Sequence, residues 1–413
     1  MKTVWIVNYY TKPPYAVSNP RHLEFARYFV NCGYKVRIFS SDLLRKNDKC
    51  LVPEGQTFVN KVYEGLDYTH IACMSYVGNG VKRGLSIFQF AWRLFLLRGK
   101  FEKPDVILHN VHAPFDYPIV WCAKRLNAKY IAEVWDLWPD QFVRFGLMKA
   151  GTPIADFFYW IEKKIYEKAD GIVFSMEGGL DYLKDQGYLV EQGGNIDKKK
   201  VFYINSGVNL EKFENNRKRY PTHDIDLLDD SFIKVVYLGS IRLVNKVKNL
   251  IDAAELLKDN TNIKFIIIGD GTDRAYLEKY CNEKNIKNVL FKQRYIPFAE
   301  VPDVVSHASI NIMNYQNNFG LYGVSSGKLF VYLAAGNPIC CNVSLNYCEI
   351  TKNDIGIAAN LDTPQKYADA ILRLASLSQR ELSAMKIRIR RTAEKFDYNK
   401  LSQNMIEVIE SLF

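Results

Sequence analysis

Lys234-Val235-Val236-Tyr237-Leu238-Gly239-Ser240 and, further on, Lys264-Phe265-Ile266-Ile267-Ile268-Gly269-Asp270-Gly271 decide the fold. Each is a short run of β-branched and aromatic residues that ends on glycine and leads into a helical pattern. After the first run, Val247, Leu250, Ile251, Ala254 and Leu257 recur at i, i+3, i+4, i+7 and i+10, one face of a helix. A strand that closes on glycine and passes into a helix is the unit of a parallel sheet covered by helices on both faces. The same alternation runs through the N-terminal half. Val4–Val7, Lys35–Ser40, Asp105–His109, Lys129–Val134 and Gly171–Ser175 read as strands, and Arg21–Cys32 as a helix with Gly33 as its C-cap.

Between the halves, Glu214–Ser231 is rich in Asn, Arg, Lys and Asp, carries Pro221 and has no apolar period. It reads as exposed chain leading out of a linker at about 207–232. The expected organisation is two α/β domains, 1–206 and 207–390. The chain has 413 residues, enough for two or three domains at about 150 residues each. Its 48% hydrophobic and 24% charged content excludes disordered and fibrous classes.

The eight cysteines contain no CxxC pair and no zinc-like spacing, and read as free thiols in a reducing compartment. The N-terminal apolar run is too short for a signal peptide, and no stretch is long and apolar enough for a transmembrane helix.

Strand ends that run from glycine into a helix place backbone N–H groups at one sheet edge, where the helix dipole favours phosphate. Gly239-Ser240 and Gly269-Asp270-Gly271 have this form, and each also suits an ordinary tight turn. A sharper element is Tyr322-Gly323-Val324-Ser325-Ser326-Gly327-Lys328-Leu329-Phe330-Val331-Tyr332-Leu333-Ala334-Ala335-Gly336-Asn337-Pro338. Small polar residues open a short helix, Gly336 closes it and Pro338 prevents its continuation. Ser325, Ser326 and Gly327 gather unpaired N–H groups beside Lys328, which makes a diphosphate cradle.

In the N-terminal half, Asp136 stands in Trp135-Asp136-Leu137-Trp138-Pro139. A carboxylate between indoles suits sugar hydroxyls, and a capping Asp at a helix start fits the same residues. His109 and His112 follow a strand that ends at the same sheet edge. A histidine there is commonly structural, and His112 is also a candidate for orienting sugar hydroxyls.

Taken together, several stretches resemble the retaining GT-B glycosyltransferases of family four, in the bacterial branch that builds O-antigen and capsular polysaccharides. They are Arg21-His22, Glu133-Val134-Trp135-Asp136-Leu137-Trp138-Pro139-Asp140, Asn205-Ser206-Gly207-Val208-Asn209, Gly239-Ser240-Ile241, Leu250-Ile251-Asp252-Ala253-Ala254, Ile268-Gly269-Asp270-Gly271, Tyr295-Ile296-Pro297 and Ser325–Pro338. The resemblance implies two Rossmann-like domains facing across a cleft. The C-terminal one would bind a nucleotide-sugar (UDP-linked, HexNAc-type, in this reading) and the N-terminal one an acceptor. A final helix, 391–413, would cross back to the first domain. It implies transfer with retention to a polyprenyl-diphosphate-linked saccharide, without metal or other cofactor.

Carried across by residue, the resemblance places diphosphate contacts at Gly239, Ser240, Arg242, Lys246, Lys248, Gly269, Gly271, Ser325, Ser326, Gly327 and Lys328. The charges at 242–248 suit a solvated helix face equally. Tyr295 and Ile296 match the position that touches the nucleobase. Asp136, Glu133 and His112 are the catalytic candidates, and Arg21 and His22 the acceptor contacts. One departure is Val331, where the family carries a carboxylate for the ribose; the earlier acidic position falls at Gly323, and Glu349 is the nearest acid in sequence.

The net charge of +10 is lopsided: 28 basic against 21 acidic residues lie before Leu210, and 27 against 24 after it. Much of the excess falls near 82–98, where Phe88, Trp92 and Phe95 alternate with Lys and Arg. Such a helix fits a membrane surface, and a core helix with snorkelling arginines fits it too. The charge is too dilute, and the motifs are missing, for nucleic-acid binding. The expected location is cytoplasmic, at the inner face of the plasma membrane. The alternatives are a catalytically degenerate sugar- or lipid-binding scaffold, which Val331 favours, and a nucleotide-sugar 2-epimerase, which the Trp-Asp-Leu-Trp-Pro stretch disfavours.

Overall fold

Buried β-branched runs build two sheets in a computed structural model that describes residues 1–16, 19–44, 50–78, 80–316 and 320–413. The first sheet has eight strands: β1 (Thr3–Val7), β2 (Lys35–Ser41), β3 (Phe58–Tyr63), β4 (Leu66–Ile71), β5 (Val106–Asn110), β6 (Lys129–Val134), β7 (Gly171–Phe174) and β8 (Val201–Tyr203). Their order is β3-β4-β2-β1-β5-β6-β7-β8, parallel except for the β3–β4 pair. The central strands β1 and β5 are buried at every position, as a sheet covered on both faces requires. The five strands expected from the N-terminal half all form.

The second sheet has six strands: β9 (Ile233–Leu238), β10 (Ile263–Ile268), β11 (Val289–Phe291), β12 (Ile310–Met313), β13 (Ile339–Cys341) and β14 (Gly356–Ala358). Their order is β11-β10-β9-β12-β13-β14, and every pairing is parallel. The reversal of direction beside β9 is a switch point, where ligands of open α/β sheets bind at the carboxyl ends of the strands.

The chain divides into two compact units, Met1–Asn205 with Asn399–Phe413, and Ser206–Tyr398. The return to the first unit begins at Asn399, later than 391. Ile389, Ala393 and Phe396 hold the preceding helix Gln379–Lys395 in the second core. Beyond Asn399 the chain meets the first unit: Tyr28 donates to Gln403 at 3.0 Å, and Lys2 pairs with Glu410. The stretch read as linker belongs to the second unit and is partly helical. Asn209 caps the helix Leu210–Arg219 by accepting from Lys212 N, a local bond that the apolar pattern does not register. All eight cysteines are free. Among the described residues no helix is long and apolar enough to cross a membrane.

Candidate functional site

In the second unit, β9 and β10 end where three backbones crowd together. Gly239 and Gly269 adopt φ of +156° and +136°, and a Cβ on Gly269 would strike the carbonyl oxygen of Gly239. A Cβ on Gly271 would strike the Ile241 carbonyl in the same way. Only glycine fits such approaches, so the backbone itself lines this edge. Arg274, itself buried, donates to the Gly269 carbonyl at 2.5 Å and to the Lys292 carbonyl at 2.7 Å, which pins the loops after β10 and β11.

Lys328 completes this edge. It lies in the first turn of the helix Gly327–Ala335, whose N-cap, Ser326, makes no side-chain capping bond. Its Nζ occupies the space a Gly239 side chain would need and lies 5.0 Å from the centroid of the Tyr237 ring. Among the described residues no hydrogen bond or ion pair engages this ammonium. Burial, with nothing to offset it, lowers its pKa from 10.5 to about 8. A half-buried cation beside uncapped helix N–H groups has the chemistry to hold an anion.

The other expected donor contacts fall out differently. Ser240 sits in the loop itself: its carbonyl accepts from the Tyr237 hydroxyl at 2.6 Å, and its own hydroxyl meets Asn245 Oδ1 at 2.9 Å. Arg242 is exposed and, among the described residues, carries no ion pair. Lys246 stands at φ +45° just before the helix Val247–Leu256. Lys248 lies half-exposed along its helix face, bonded to both oxygens of Asp252 at 2.7 and 2.8 Å and 4.6 Å from the Tyr280 ring centroid. That i, i+4 pair is the helix-face reading of its charge. Tyr295 is exposed and Ile296 buried. Ser325 Oγ accepts from Ser206 N at 3.3 Å, tying the cradle to the first residue of the unit. Val331 packs against the second core, and Glu349 is engaged by Asn353 at 2.8 Å within its own helical turn.

In the first unit, the carboxyl ends of β1, β5 and β6 gather polar side chains. Arg21 and His22 open helix α1 (Arg21–Asn31), and both are buried rather than presented to an acceptor. Arg21 Nε donates to Glu133 Oε1 at 2.7 Å, and its other nitrogens donate to the carbonyls of Ile204, at 2.8 Å, and Asn205. His22 Nε2 meets Glu133 Oε2 at 2.5 Å, and Asn8 Nδ2 lies 3.0 Å from His22 Nδ1. Burial works to raise the Glu133 pKa, but Arg21 and His22 outweigh it and bring it to about 2. With every polar atom committed and no exposed surface, Glu133 and Arg21 hold the sheet edge together instead of touching a ligand.

Asp136 is the exposed carboxylate of this edge, held by Gln141 Nε2 at 3.0 Å. Trp138 turns inward, 4.8 Å from Phe142 and 5.5 Å from His112 between ring centroids, so it offers no platform to a sugar. Trp135 remains half-buried, 4.9 Å from the His22 ring, with a buried indole N–H that has no hydrogen-bond partner among the described residues.

His112 is nearly buried, framed by Tyr10 at 5.1 Å and Trp138. The residue missing from the sequence reading is Asp116. Its Oδ2 accepts the backbone N–H of His112 and lies 3.1 Å from His109 Nε2 and 3.5 Å from His112 Nδ1. Burial alone would raise its pKa, but the two histidines pull it far below the ordinary carboxylate range. The spacing His112-x-x-x-Asp116 was the available signal. Among the described residues no group of three or more His, Cys, Asp or Glu is placed to hold a metal ion.

Residues 222–392 match the family described as Glycosyl transferases group 1. That stretch lies in the second unit and contains the whole glycine–lysine edge. Among curated proteins the chain is similar to the putative colanic acid biosynthesis glycosyl transferase WcaI of Escherichia coli (strain K12), 24% identical over 219 residues. The similarity covers 51% of this chain and 51% of WcaI, so the chain spans about half the length of that relative.

Two solved structures share the whole architecture. The first is described as trehalose-6-phosphate from E. coli bound with UDP-2-fluoro glucose, with a TM-score of 0.73, 10% identity and 98% of each chain covered. The second is Anabaena Alr3699/HepE in complex with UDP, with a TM-score of 0.66, 10% identity and 100% of each chain covered. The fold is GT-B.

Proposed function

We propose that this protein is a glycosyltransferase that takes its sugar from a nucleotide-sugar. The observation that carries this reading is the unpartnered Lys328 ammonium beside Gly239 and an uncapped helix, within the stretch that matches group 1 glycosyl transferases. UDP as the nucleotide is favoured by the UDP ligands of the two solved structures, and a surface polysaccharide as the product by the similarity to WcaI. The finer reading is family-four transfer with retention of a hexose or N-acetylhexosamine, in O-antigen or capsule synthesis. Its acceptor is a polyprenyl-diphosphate-linked saccharide at the inner face of the plasma membrane.

In this reading the bond from the anomeric carbon to the diphosphate breaks as a bond to the acceptor oxygen forms on the same face. The acceptor proton passes to the departing phosphate oxygen. That chemistry needs positioning and positive charge more than a strong protein base. Lys328, Arg242 and the N–H groups at Ser326–Lys328 supply the charge, which makes the reaction metal-independent. Asp136 and His112 orient sugar hydroxyls in the first unit.

Thermal-shift measurements with UDP, GDP, CDP and dTDP, each with and without divalent metal, test the reading. A stabilisation by one nucleotide that does not depend on metal is expected. A second reading, a sugar- or lipid-binding scaffold without turnover, is favoured by Val331, which leaves the ribose without its expected carboxylate. Failure of all four nucleotides to shift the protein would replace the first reading by the second.

A further inference from the structure

Helix α2 (Val81–Leu97) is apolar on two sides. Gly84, Ile87, Phe90, Ala91, Leu94 and Leu97 are buried within the first unit. On the other side, Val81, Leu85, Phe88, Trp92 and Leu96 recur at i, i+4, i+7, i+11 and i+15, and all are exposed, from 39% at Trp92 to 80% at Val81. The neighbouring helix α3 (Pro118–Leu126) continues this outer stripe. Its Trp121 is 44% exposed, with ring centroids 6.3 Å from Trp92 and 6.1 Å from Phe95. Single exposed apolar residues need no explanation, but a contiguous aromatic stripe marks an interaction surface.

Charge says what covers it. Residues 68–101 contain no Asp or Glu and five Lys or Arg; residues 117–132 contain no acid and three. Lys82, Lys124 and Arg125 are exposed and, among the described residues, unpaired. Protein interfaces deplete lysine at their cores, whereas tryptophan beside unpaired Lys and Arg is the pattern of a helix lying among lipid headgroups.

We propose that the outer stripe of α2, with Trp121, docks on an anionic phospholipid bilayer. The helix lies flat, its aromatic side in the headgroup–acyl boundary and Lys82, Lys124 and Arg125 against lipid phosphates. At 17 residues it is about 25 Å long, and it covers the surface rather than crossing it. This deepens the membrane location in the proposed function and rests on that reading. Vesicle binding needs neither donor nor acceptor, so its failure is separable from a failure to bind nucleotide.

Sedimentation of the full chain with vesicles of equimolar phosphatidylglycerol and phosphatidylcholine tests the docking, with phosphatidylcholine alone as the reference. Binding to the anionic vesicles that weakens with salt is expected. Phe88→Ser, Trp92→Ser and Trp121→Ser together lower the partition coefficient by at least about tenfold. Because serine at these positions also removes packing, Lys82→Glu, Lys124→Glu and Arg125→Glu form a second variant, on exposed positions that are unpaired among the described residues. Each basic residue near an anionic surface is worth about fivefold, so this variant loses on the order of a hundredfold. Absence of wild-type binding, or wild-type binding by the charge variant, overturns the proposal. So does light scattering that shows a dimer dissociated by the aromatic substitutions, because the stripe then joins two copies of the chain.

Discussion

Replacing Lys328 by Met is expected to stabilise the unliganded protein while weakening its hold on a diphosphate. The thioether keeps the packing of the lysine stem beside Tyr237 and removes an ammonium that, among the described residues, has no hydrogen-bond or ion-pair partner. Lowering a lysine from 10.5 to about 8 means that the charged form is disfavoured by about 3 kcal/mol. Below pH 8 both the folded and the unfolded chain carry the proton, and the whole penalty is borne. Between pH 8 and 10.5 the folded form sheds its proton first, so stability rises with pH; above 10.5 the penalty is gone.

At pH 7, Lys328→Met should therefore raise the stability of the second unit by about 1–3 kcal/mol, roughly 2–4 °C in Tm for each kcal/mol. A bound diphosphate restores the ammonium. UDP binding near pH 8 should thus take up a proton and weaken as pH rises further, and in the Met variant it should be weaker by about 10–100-fold. Calorimetry in buffers of different ionisation enthalpy reads the proton, and thermal unfolding reads the stability. A variant that is less stable at pH 7 and binds UDP as well as the wild type refutes the reasoning.

Three further outcomes are expected. Asp136→Asn should lower turnover by more than about 100-fold and leave UDP affinity unchanged, since the carboxylate acts on the sugars and not on the nucleotide; near-normal turnover removes Asp136 from the mechanism. Glu133→Gln leaves the buried Arg21 guanidinium uncompensated and should destabilise the protein by about 3–5 kcal/mol, read from the urea midpoint; a change below about 1 kcal/mol contradicts the buried pairing.

Glu162 is fully buried, takes hydroxyl bonds from Tyr166 and Tyr182 at 3.1 and 2.7 Å, and is raised by that burial from 4.5 to about 8. The folded form holds this proton more tightly, so its contribution is full below pH 4.5 and is lost as pH rises through 8. Glu162→Gln should flatten stability between these limits, and an unchanged pH slope would show that the carboxyl is ionised in the fold.

The glycine–lysine edge was largely legible in the sequence because its parts are local. Gly239, Gly269, Gly271 and the Ser325–Lys328 turn are conformational signals, readable wherever a strand passes into a helix. The polar edge of the first unit was not. Arg21 and Glu133 are far apart in the chain, and charged residues near a strand end look the same whether they face a ligand or each other. Burial separates the two cases: a guanidinium with no exposed surface, committed to Glu133 and two carbonyls, is a fastening. The pairing of Lys248 is hidden for the same reason, since its partner Asp252 lies one turn away on a face that periodicity leaves undecided.

By itself, then, the sequence determined the alternation of strands and helices, the two α/β halves and the glycines at the strand ends. Those follow from backbone geometry and from the period of apolar residues, both properties of neighbours along the chain. Only the tertiary structure decided which charges are paired, that Asp116 gathers His109 and His112, that Lys328 stands between Gly239 and the Tyr237 ring, and that α2 keeps a second apolar side in water. Pairing and exposure depend on what other strands and helices bring to the same place, and no spacing along a chain records that.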